Sequence, residues 1–336
     1  MSCDRTRDDD AKDLLGAATR ILLAAALVVS LAAQAVSAER FPSRPIHLIL
    51  PYAPGGIIEF VGRTLAQKLG EVLGQPVVVE NRAGAGSIVG VDYVAHAAPD
   101  GYTIVLVDPA IVTNPTLHQS LPYDTFKDLV TVSIVATAPE ILVVAPQLGI
   151  KTQADLVAYA KANPGKLNYA SAGVGSFSDL AAEMWKDRAG IEATQVPYKG
   201  IGPAFIDLMS GKVQMSFSSL PAAMPFIAKG SLIPLATTGL ARSPMYPDVP
   251  TVAEMLPGYV VDLWLGVYGT AGMPPEVLTA LNSGIAKALQ DDQLKAAFAK
   301  FGIAPRGTTV QEGAAFTKEE YEKWRKVITD AHITLD

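Results

Sequence analysis

The sequence contains a single cysteine, Cys3, which stands before the longest apolar run of the chain. Removal of residues 1–38 on export would leave no cysteine, which excludes disulfides, thiol catalysis and cysteine metal sites. The four histidines are scattered, without an HxH or HExxH pair, so we expect no metal site. A formal net charge of −6 argues against nucleic acid and anionic membrane surfaces as partners.

Residues 1–38 are predicted to be a signal peptide. Basic residues, the last of them Arg20, precede an alanine-rich apolar run at positions 21–38. The run is short for a spanning helix, and Val36, Ser37 and Ala38 are the small residues that signal peptidase prefers. Cleavage before Glu39 would place the protein in the periplasm, with an uncleaved anchor as the alternative. The aspartates that precede the run are unusual for such a segment.

The rest of the chain alternates short apolar runs with amphipathic segments. This alternation predicts an α/β fold with mainly parallel sheets and helices on both faces, in two domains. Two short strands are predicted at 132–135 and 141–145, separated by Thr137, Ala138 and Pro139 in a crossing between the domains.

Residues 46–69 predict a strand, a glycine-rich turn and a helix. An apolar run at 47–50 is followed by Pro51, Pro54, Gly55 and Gly56, which end the strand. Apolar residues then recur every three or four positions at Ile58, Val61, Leu65 and Leu69. Such a turn points backbone N–H groups and the positive end of the helix dipole at one spot, which suits an anion. The alternative is an ordinary turn without a ligand.

A second turn of this kind is predicted in the other half of the chain. A strand at 167–170 leads into the Gly/Ser-rich segment 171–178 and then into a helix at 179–189. Two such turns, one in each half, are what a cleft that binds a carboxylate from both sides requires.

Other motifs carry weaker signals. Gly84, Gly86 and Gly90 imitate a dinucleotide fingerprint, but the spacing is GxGxxxG and follows the second strand, so no cofactor is expected. A hydrolase is the competing class, because the segment around Ser171 resembles GxSxG at its end. Tyr169 stands where the first glycine belongs, and no histidine is nearby in sequence, so we predict no catalytic residues.

Motifs along nearly the whole chain after residue 38 resemble the Bug family of periplasmic solute-binding proteins, the TctC-like receptors of tripartite tricarboxylate transporters. The matching segments are FPSRPI at 41–46, PYAPGG at 51–56, QPVVVENR at 75–82, PDGYT at 99–103, LPYD at 121–124, YASAGVGS at 169–176, VPYKG at 196–200, SLP at 219–221 and PDVPT at 247–251.

The resemblance implies a two-lobed periplasmic binding protein of the Venus-flytrap, type II-like class. The first lobe would comprise residues 39–138 and, by a C-terminal return, 263–336, and the second lobe residues 139–262. The family implies a monomer that captures a small carboxylate for the membrane components of a tripartite transporter. A sensor that presents its liganded form to a signalling partner, such as a sensor kinase ectodomain, is an alternative that the sequence leaves open.

The resemblance also implies a set of ligand-binding residues in the two turns and on a later strand. These are Tyr52, Gly55, Gly56, Ile57, Ile58, Glu59, Ser171, Ala172, Gly175, Ser176, Phe177, Ser178 and Ser218.

Several of these positions depart from the family pattern and bear on specificity. Ile57 and Ile58 replace small or hydroxyl residues, and Phe177 replaces a serine. Ser218 stands where many members carry an acid that would suit an ammonium group. We therefore hypothesise a carboxylate with an apolar or aromatic body, packed by Tyr52, Phe177 and Trp264. The alternative for Phe177 is rim or core packing.

Glu59 counts against an anion at the first turn, because an unpaired carboxylate beside an anion is unfavourable. It would have to point away, bind a donor on the ligand, or pair with Arg63 one helical turn later. Lys199 lies in the VPYKG segment at 196–200. We consider two roles for it, a contact with the ligand carboxylate or a solvated position in a loop.

Overall fold

The computed structural model describes residues 41–54, 56–198 and 200–335, and the predicted signal peptide lies outside them. The elements below all belong to the unit that starts at Arg44. The strands are β1 Ile46–Leu50, β2 Val77–Asn81, β3 Thr103–Val107, β4 Leu129–Val144, β5 Asn168–Ser171, β6 Thr194–Pro197, β7 Met215–Ser219, β8 Ile233–Thr237, β9 Asp262–Thr270 and β10 Ala304–Pro305.

Helices connect most of these strands. They are α1 Gly56–Leu73, α2 Ile88–Ala95, α3 Ala110–Leu117, α4 Gln153–Ala162, α5 Phe177–Ala189, α6 Ile201–Met209, α7 Leu220–Ala228, α8 Val252–Met255, α9 Pro275–Ala288, α10 Asp292–Ala299 and α11 Val310–Asp330. Short 3₁₀ turns occupy Ala85–Ser87 and Pro146–Leu148.

The strands form two groups that share β4. In the first group, β1 pairs in parallel with β2 and β3, and β9 pairs antiparallel with β3 and β4. In the second group, β5 pairs in parallel with β6 and β7, while β7 and β8 pair antiparallel with β4. Parallel pairing therefore surrounds β1 and β5, the strands that precede the two glycine-containing turns. Between these two parallel groups, β9 and β4 pair antiparallel with their neighbours.

The predicted break at 137–139 is wrong, because β4 runs without interruption for 16 residues. Pro139 is the last residue that is in register with β9, opposite Asp262, and pairing with β7 begins at Glu140. Proline lacks a backbone N–H and is tolerated where a ladder changes partner. The chain therefore crosses from one strand group to the other inside a strand. The lobe boundaries remain a prediction.

The core confirms the predicted apolar periodicity. Ile58, Val61, Leu65 and Leu69 are the buried face of α1, and β1 is buried along most of its length. Burying such side chains stabilises a fold by about 1.5–3 kcal/mol each. Thr152 caps the N-terminus of α4, since its hydroxyl accepts a hydrogen bond from the Asp155 N–H at 3.1 Å.

Two searches of the described residues bear on other classes of protein. None of their helices combines the length and apolar character needed to cross a bilayer. Their histidine and acidic side chains also do not gather into a group of three that could hold a metal ion.

Candidate functional site

A cavity of about 510 Å³ lies where the two glycine-containing turns and the crossing strand β4 come together. Eight of the predicted binding residues line it: Tyr52, Ile57, Ala172, Gly175, Ser176, Phe177, Ser178 and Ser218. The tertiary structure thus gathers residues from positions 52 to 218 around one volume. Cavities of this size accommodate small organic ligands.

Of the remaining predicted residues, those that the structure describes do not line this cavity. Gly56 borders a smaller neighbouring cavity of about 350 Å³, which also contacts Ile57. Ile58 belongs to the buried core face of α1. Ser171 is buried beneath its turn, and Gly55 lies outside the described residues, as does Lys199.

The second turn, between β5 and α5, is held together by its own side chains. The Ser176 hydroxyl donates to the Gly173 carbonyl at 2.7 Å, and the Ser178 hydroxyl accepts from the Ala172 N–H at 3.0 Å. Ser171 donates to the same Gly173 carbonyl and accepts from the Gln195 amide. The Ser176 side chain does not cap α5. Because the Asp179 and Leu180 N–H groups donate to the Ser176 carbonyl, the N–H groups of Phe177 and Ser178 are the ones that α5 offers to a ligand.

Asp179 fixes this turn from inside the protein. One carboxyl oxygen accepts from the Gly175 N–H at 2.9 Å, and the other accepts from the Tyr169 hydroxyl at 2.6 Å. Burial raises the pKa of Asp179, an effect that the hydrogen bond from Tyr169 partly opposes. Asp179 therefore positions the turn, and Gly175 keeps a backbone φ of +71° that favours glycine.

The first turn, between β1 and α1, is tied to neighbouring strand ends. The Tyr52 hydroxyl donates to Asp108, just after β3, at 2.7 Å. The side-chain amide of Asn81, at the end of β2, donates to the Tyr52 carbonyl at 3.0 Å. Tyr52 thus presents its ring to the cavity while its polar atoms are engaged elsewhere.

Glu59 has two partners, Arg63 on the same helix and Asn81 at the end of β2. It pairs with Arg63 and accepts from the Asn81 amide at 2.7 Å. These contacts, with the Asn81 hydrogen bond first, lower the pKa of the Glu59 carboxyl. Of the three orientations considered for Glu59, the structure has the pair with Arg63, and the carboxylate does not line the cavity.

The aromatic residues named as packing partners occupy different places. Phe177 lines the cavity and packs edge-on against Trp324, with ring centroids 5.3 Å apart. Trp264 is fully buried, donates its indole N–H to Glu320 at 2.9 Å and does not line the cavity. The proposed aromatic wall therefore contains Phe177 and Tyr52, without Trp264.

Six polar residues that line the cavity were missed in the sequence, among them Asp108, Asn114 and Glu140. Asp108 follows β3, and the Ala110 N–H donates to its carboxylate at 3.0 Å. Asn114, on the unpredicted helix α3, donates to the Gly86 carbonyl at 3.0 Å. Glu140 lies on β4, a strand whose other residues are mostly apolar. An acidic residue placed directly after a buried strand was the available signal for Asp108.

The cavity carries buried acids, and none of the described residues that line it is a lysine or arginine. Burial raises the pKa of Asp108, and burial raises the pKa of Glu140 to about 8. The Glu140 carboxyl therefore favours its neutral form near neutral pH. An anionic group at this site would therefore be held by N–H groups and hydroxyls.

The sheet topology and the cavity between its two glycine-containing turns define a two-lobed α/β solute-binding protein. A family model described as "Tripartite tricarboxylate transporter family receptor" matches residues 61–333. The chain belongs to this family of receptors, whose members are binding proteins and not enzymes.

Similar proteins agree with this assignment. The chain is 38% identical to "Protein BugT" of Bordetella pertussis over 94% of its own length and 99% of the relative. It is 34% identical, with a TM-score of 0.78, to "R. palustris Rpa4515 with adipate", over 88% of this chain and 99% of the other. It is 29% identical, with a TM-score of 0.73, to MatC from Rhodopseudomonas palustris with bound malate, over 86% of this chain and all of the other.

Proposed function

We propose that this protein is a periplasmic receptor that captures a small carboxylate with an apolar or aromatic body and delivers it to the membrane components of a tripartite tricarboxylate-type transporter. The observation that carries the proposal is the second turn, where Ala172, Gly175, Ser176 and Ser178 border the cavity at the start of α5. Free N–H groups at a helix N-terminus and adjacent hydroxyls are suited to a carboxylate.

The affinity that such a receptor needs is within reach of these groups. A micromolar complex corresponds to about −8 kcal/mol. Hydrogen bonds to a charged group contribute roughly 1.5–3 kcal/mol each, and a helix terminus adds about 0.3–1 kcal/mol. A few such bonds, with burial of the ligand body, reach the required value without a cationic side chain.

The apolar side chains of the cavity support an apolar ligand body. Ile57, Leu117, Phe177, Leu180 and Leu263 line it beside the polar turn. The similar proteins of known structure carry adipate and malate, which are both small carboxylates. We infer that one carboxylate of the ligand meets the second turn and that its body contacts these side chains.

A binding screen tests the proposal directly. The purified protein is titrated calorimetrically with adipate, malate, citrate, hexanoate, benzoate, amino acids and basic amines. We expect micromolar binding of at least one carboxylate and weaker binding of amines. Glu71→Gln, on the outer face of α1 away from the cavity, serves as the matched control and should bind like the wild type. Binding confined to basic amines would overturn the carboxylate assignment, and binding confined to amino acids would overturn the apolar or aromatic body.

Export and transport require separate tests. The intact mass of the protein recovered from the periplasmic fraction should equal that of a chain that begins at Glu39. Deletion of the gene should abolish uptake of the carboxylate found in the screen, and restoring it should recover uptake. Unchanged uptake together with a lost transcriptional response would instead indicate the sensor role.

A further inference from the structure

A second cavity, of about 350 Å³, adjoins the cavity described above. Ile57 and Ser219 line both volumes, so the two meet at these residues. Ile57 lies in the first turn of α1, and Ser219 is the last residue of β7. We name the smaller volume the annex and the larger one the main cavity. The annex therefore lies beside the first glycine-containing turn.

Three segments that are distant in the chain form the walls of the annex. They are the start of α1 with Gly56, Ile57 and Phe60, the start of α7 with Ser219, Pro221 and Ala222, and the segment after α10 with Phe301 and Ile303. The Phe301 ring meets the Phe60 ring edge-on, with ring centroids 4.6 Å apart. A Cβ added at Gly302 would lie 2.8 Å from the Leu220 side chain, so the segment after α10 already packs against α7. The annex is thus bounded from several sides.

The chemistry of the annex differs from that of the main cavity. Among the described residues that line the annex, Ser219 is the single polar side chain and none is charged. Phe301 is 40% exposed although it is a large apolar side chain. Covering such surface with methylene groups or an aromatic ring is favourable, whereas a charged group there would lose its hydration without gaining a partner. The annex therefore suits an uncharged, apolar group.

The position of the annex indicates where that group comes from. The second turn, which offers N–H groups and hydroxyls to a carboxylate, lines the main cavity and not the annex. Ile57 and Ser219 stand where the two volumes meet, so a ligand that starts at the second turn can reach the annex by passing them. A second molecule is not needed to cover the annex.

We propose that the annex is a subsite for the apolar end of an elongated ligand, whose carboxylate meets the second turn and whose terminal alkyl or aryl group lies between Phe301 and Ala222. This inference rests on the proposed function. The receptor then prefers medium-chain or phenyl-terminated monocarboxylates to acids short enough to end inside the main cavity. It also prefers them to dicarboxylates of the same length, because the distal carboxylate would enter the annex without a partner.

Acids of increasing length test the annex by calorimetry. The wild type is titrated with hexanoate, octanoate, decanoate, 6-phenylhexanoate and decanedioate. Each methylene group that becomes buried should tighten binding by about fourfold at most, so decanoate should bind at least about tenfold more tightly than hexanoate. Decanedioate should bind more weakly than decanoate. Octanoate and decanoate that bind no more tightly than hexanoate would overturn the proposal.

A variant that fills the annex locates the effect. Ala222→Phe should weaken decanoate binding by about tenfold while hexanoate binding stays within about threefold of the wild type. Ala228→Phe, at an exposed position of the same helix that lines neither cavity, is the matched control and should bind both acids like the wild type. Thermal melting verifies that each variant folds. A folded Ala222→Phe protein that loses neither acid, or both equally, would contradict the proposal.

A second variant removes the opposite wall. Phe301→Ala should also weaken decanoate binding by about tenfold and leave hexanoate binding nearly unchanged. Phe126→Ala, at another exposed phenylalanine that lines neither cavity, is its control. The two levels of the hypothesis fail differently. If no carboxylate binds the wild type, the proposed function falls and the annex with it. If hexanoate or adipate binds but chain length and both variants have no selective effect, only the annex falls.

Discussion

The two halves of the chain carry the same local plan, a strand, a glycine-containing turn and a helix, but they use it differently. In the first turn, Tyr52 and Glu59 are engaged by Asp108, Asn81 and Arg63, which belong to neighbouring elements or to the helix itself. In the second turn, serine hydroxyls and Asp179 hold the loop, and its residues line the cavity from Ala172 to Ser178.

The same strand–turn–helix motif therefore contributes apolar side chains to the cavity in one half of the chain and polar binding groups in the other. The first turn contributes the ring of Tyr52 and the side chain of Ile57 to the cavity. The second contributes hydroxyls, backbone and the N-terminus of α5. We therefore expect changes in the second turn to affect ligand binding more than equivalent changes in the first.

The largest expected effect concerns Glu140, on the strand that lies between the two turns in the sheet order. Burial raises its pKa from an ordinary 4.5 to about 8. Below pH 4.5 the carboxyl is protonated in both states and costs nothing. Between pH 4.5 and pH 8 the unfolded chain releases the proton while the folded protein keeps it, so the folded protein loses stability as the pH rises, and the loss is complete above pH 8. Glu140→Gln should therefore gain up to roughly 4–5 kcal/mol over the wild type between pH 4 and pH 9.

Urea unfolding of both proteins at pH 4, 6 and 9 measures this difference, and the Glu71→Gln variant controls for the loss of an acidic residue. A difference between Glu140→Gln and wild type that does not change with pH would mean that the pKa of Glu140 is the same in the folded and unfolded chains. The wall between the two turns would then differ from the one described above.

Asp179→Ala should produce the next largest effect, by breaking the second turn. It removes the acceptor of the Gly175 N–H and one of the two acceptors of the Tyr169 hydroxyl, the other being Glu183, which should cost about 1–3 kcal/mol of unfolding free energy. Carboxylate affinity should fall by about tenfold or more as the turn loosens. Asp187→Ala, an exposed change on the same helix, is the control. A stable Asp179→Ala protein with normal affinity would show that the turn does not depend on this residue.

Matched glycine substitutions compare the two turns directly. Gly56 and Gly175 both have a positive φ, and a valine at either position should cost about 1–2 kcal/mol in backbone strain. At Gly175 the added Cβ would also lie 3.1 Å from Leu117, whereas the space at Gly56 is open. Gly175→Val should therefore weaken carboxylate binding by about tenfold and Gly56→Val by less. Equal losses in titration calorimetry would mean that both turns contact the ligand alike.

Glu59→Gln should have the smallest effect. The amide can still accept from Asn81, and the pair with Arg63 on the helix surface contributes less than about 1 kcal/mol. We expect ligand affinity within about twofold of the wild type. A larger loss, measured with the carboxylate from the screen, would place Glu59 at the ligand and make the two turns more alike.

The sequence by itself determined the local plan and the family. Apolar periodicity identified the buried face of α1, the glycines and serines marked both turns, and the motifs along the chain indicated a carboxylate receptor. These signals are local, because helix periodicity, turn residues and caps depend on neighbours within a few positions. Eight of the thirteen predicted residues consequently line one cavity.

Only the tertiary structure decided how those parts meet. It merged the two predicted strands around Pro139 into β4, because pairing with β9 and then β7 continues through the residue that lacks an N–H. It placed Glu59 between Arg63 and Asn81, buried Trp264 against Glu320 and set Glu140 opposite Ser219. Apart from the pair with Arg63, these outcomes depend on partners more than 20 residues away in the chain, and no local pattern encodes the choice among them.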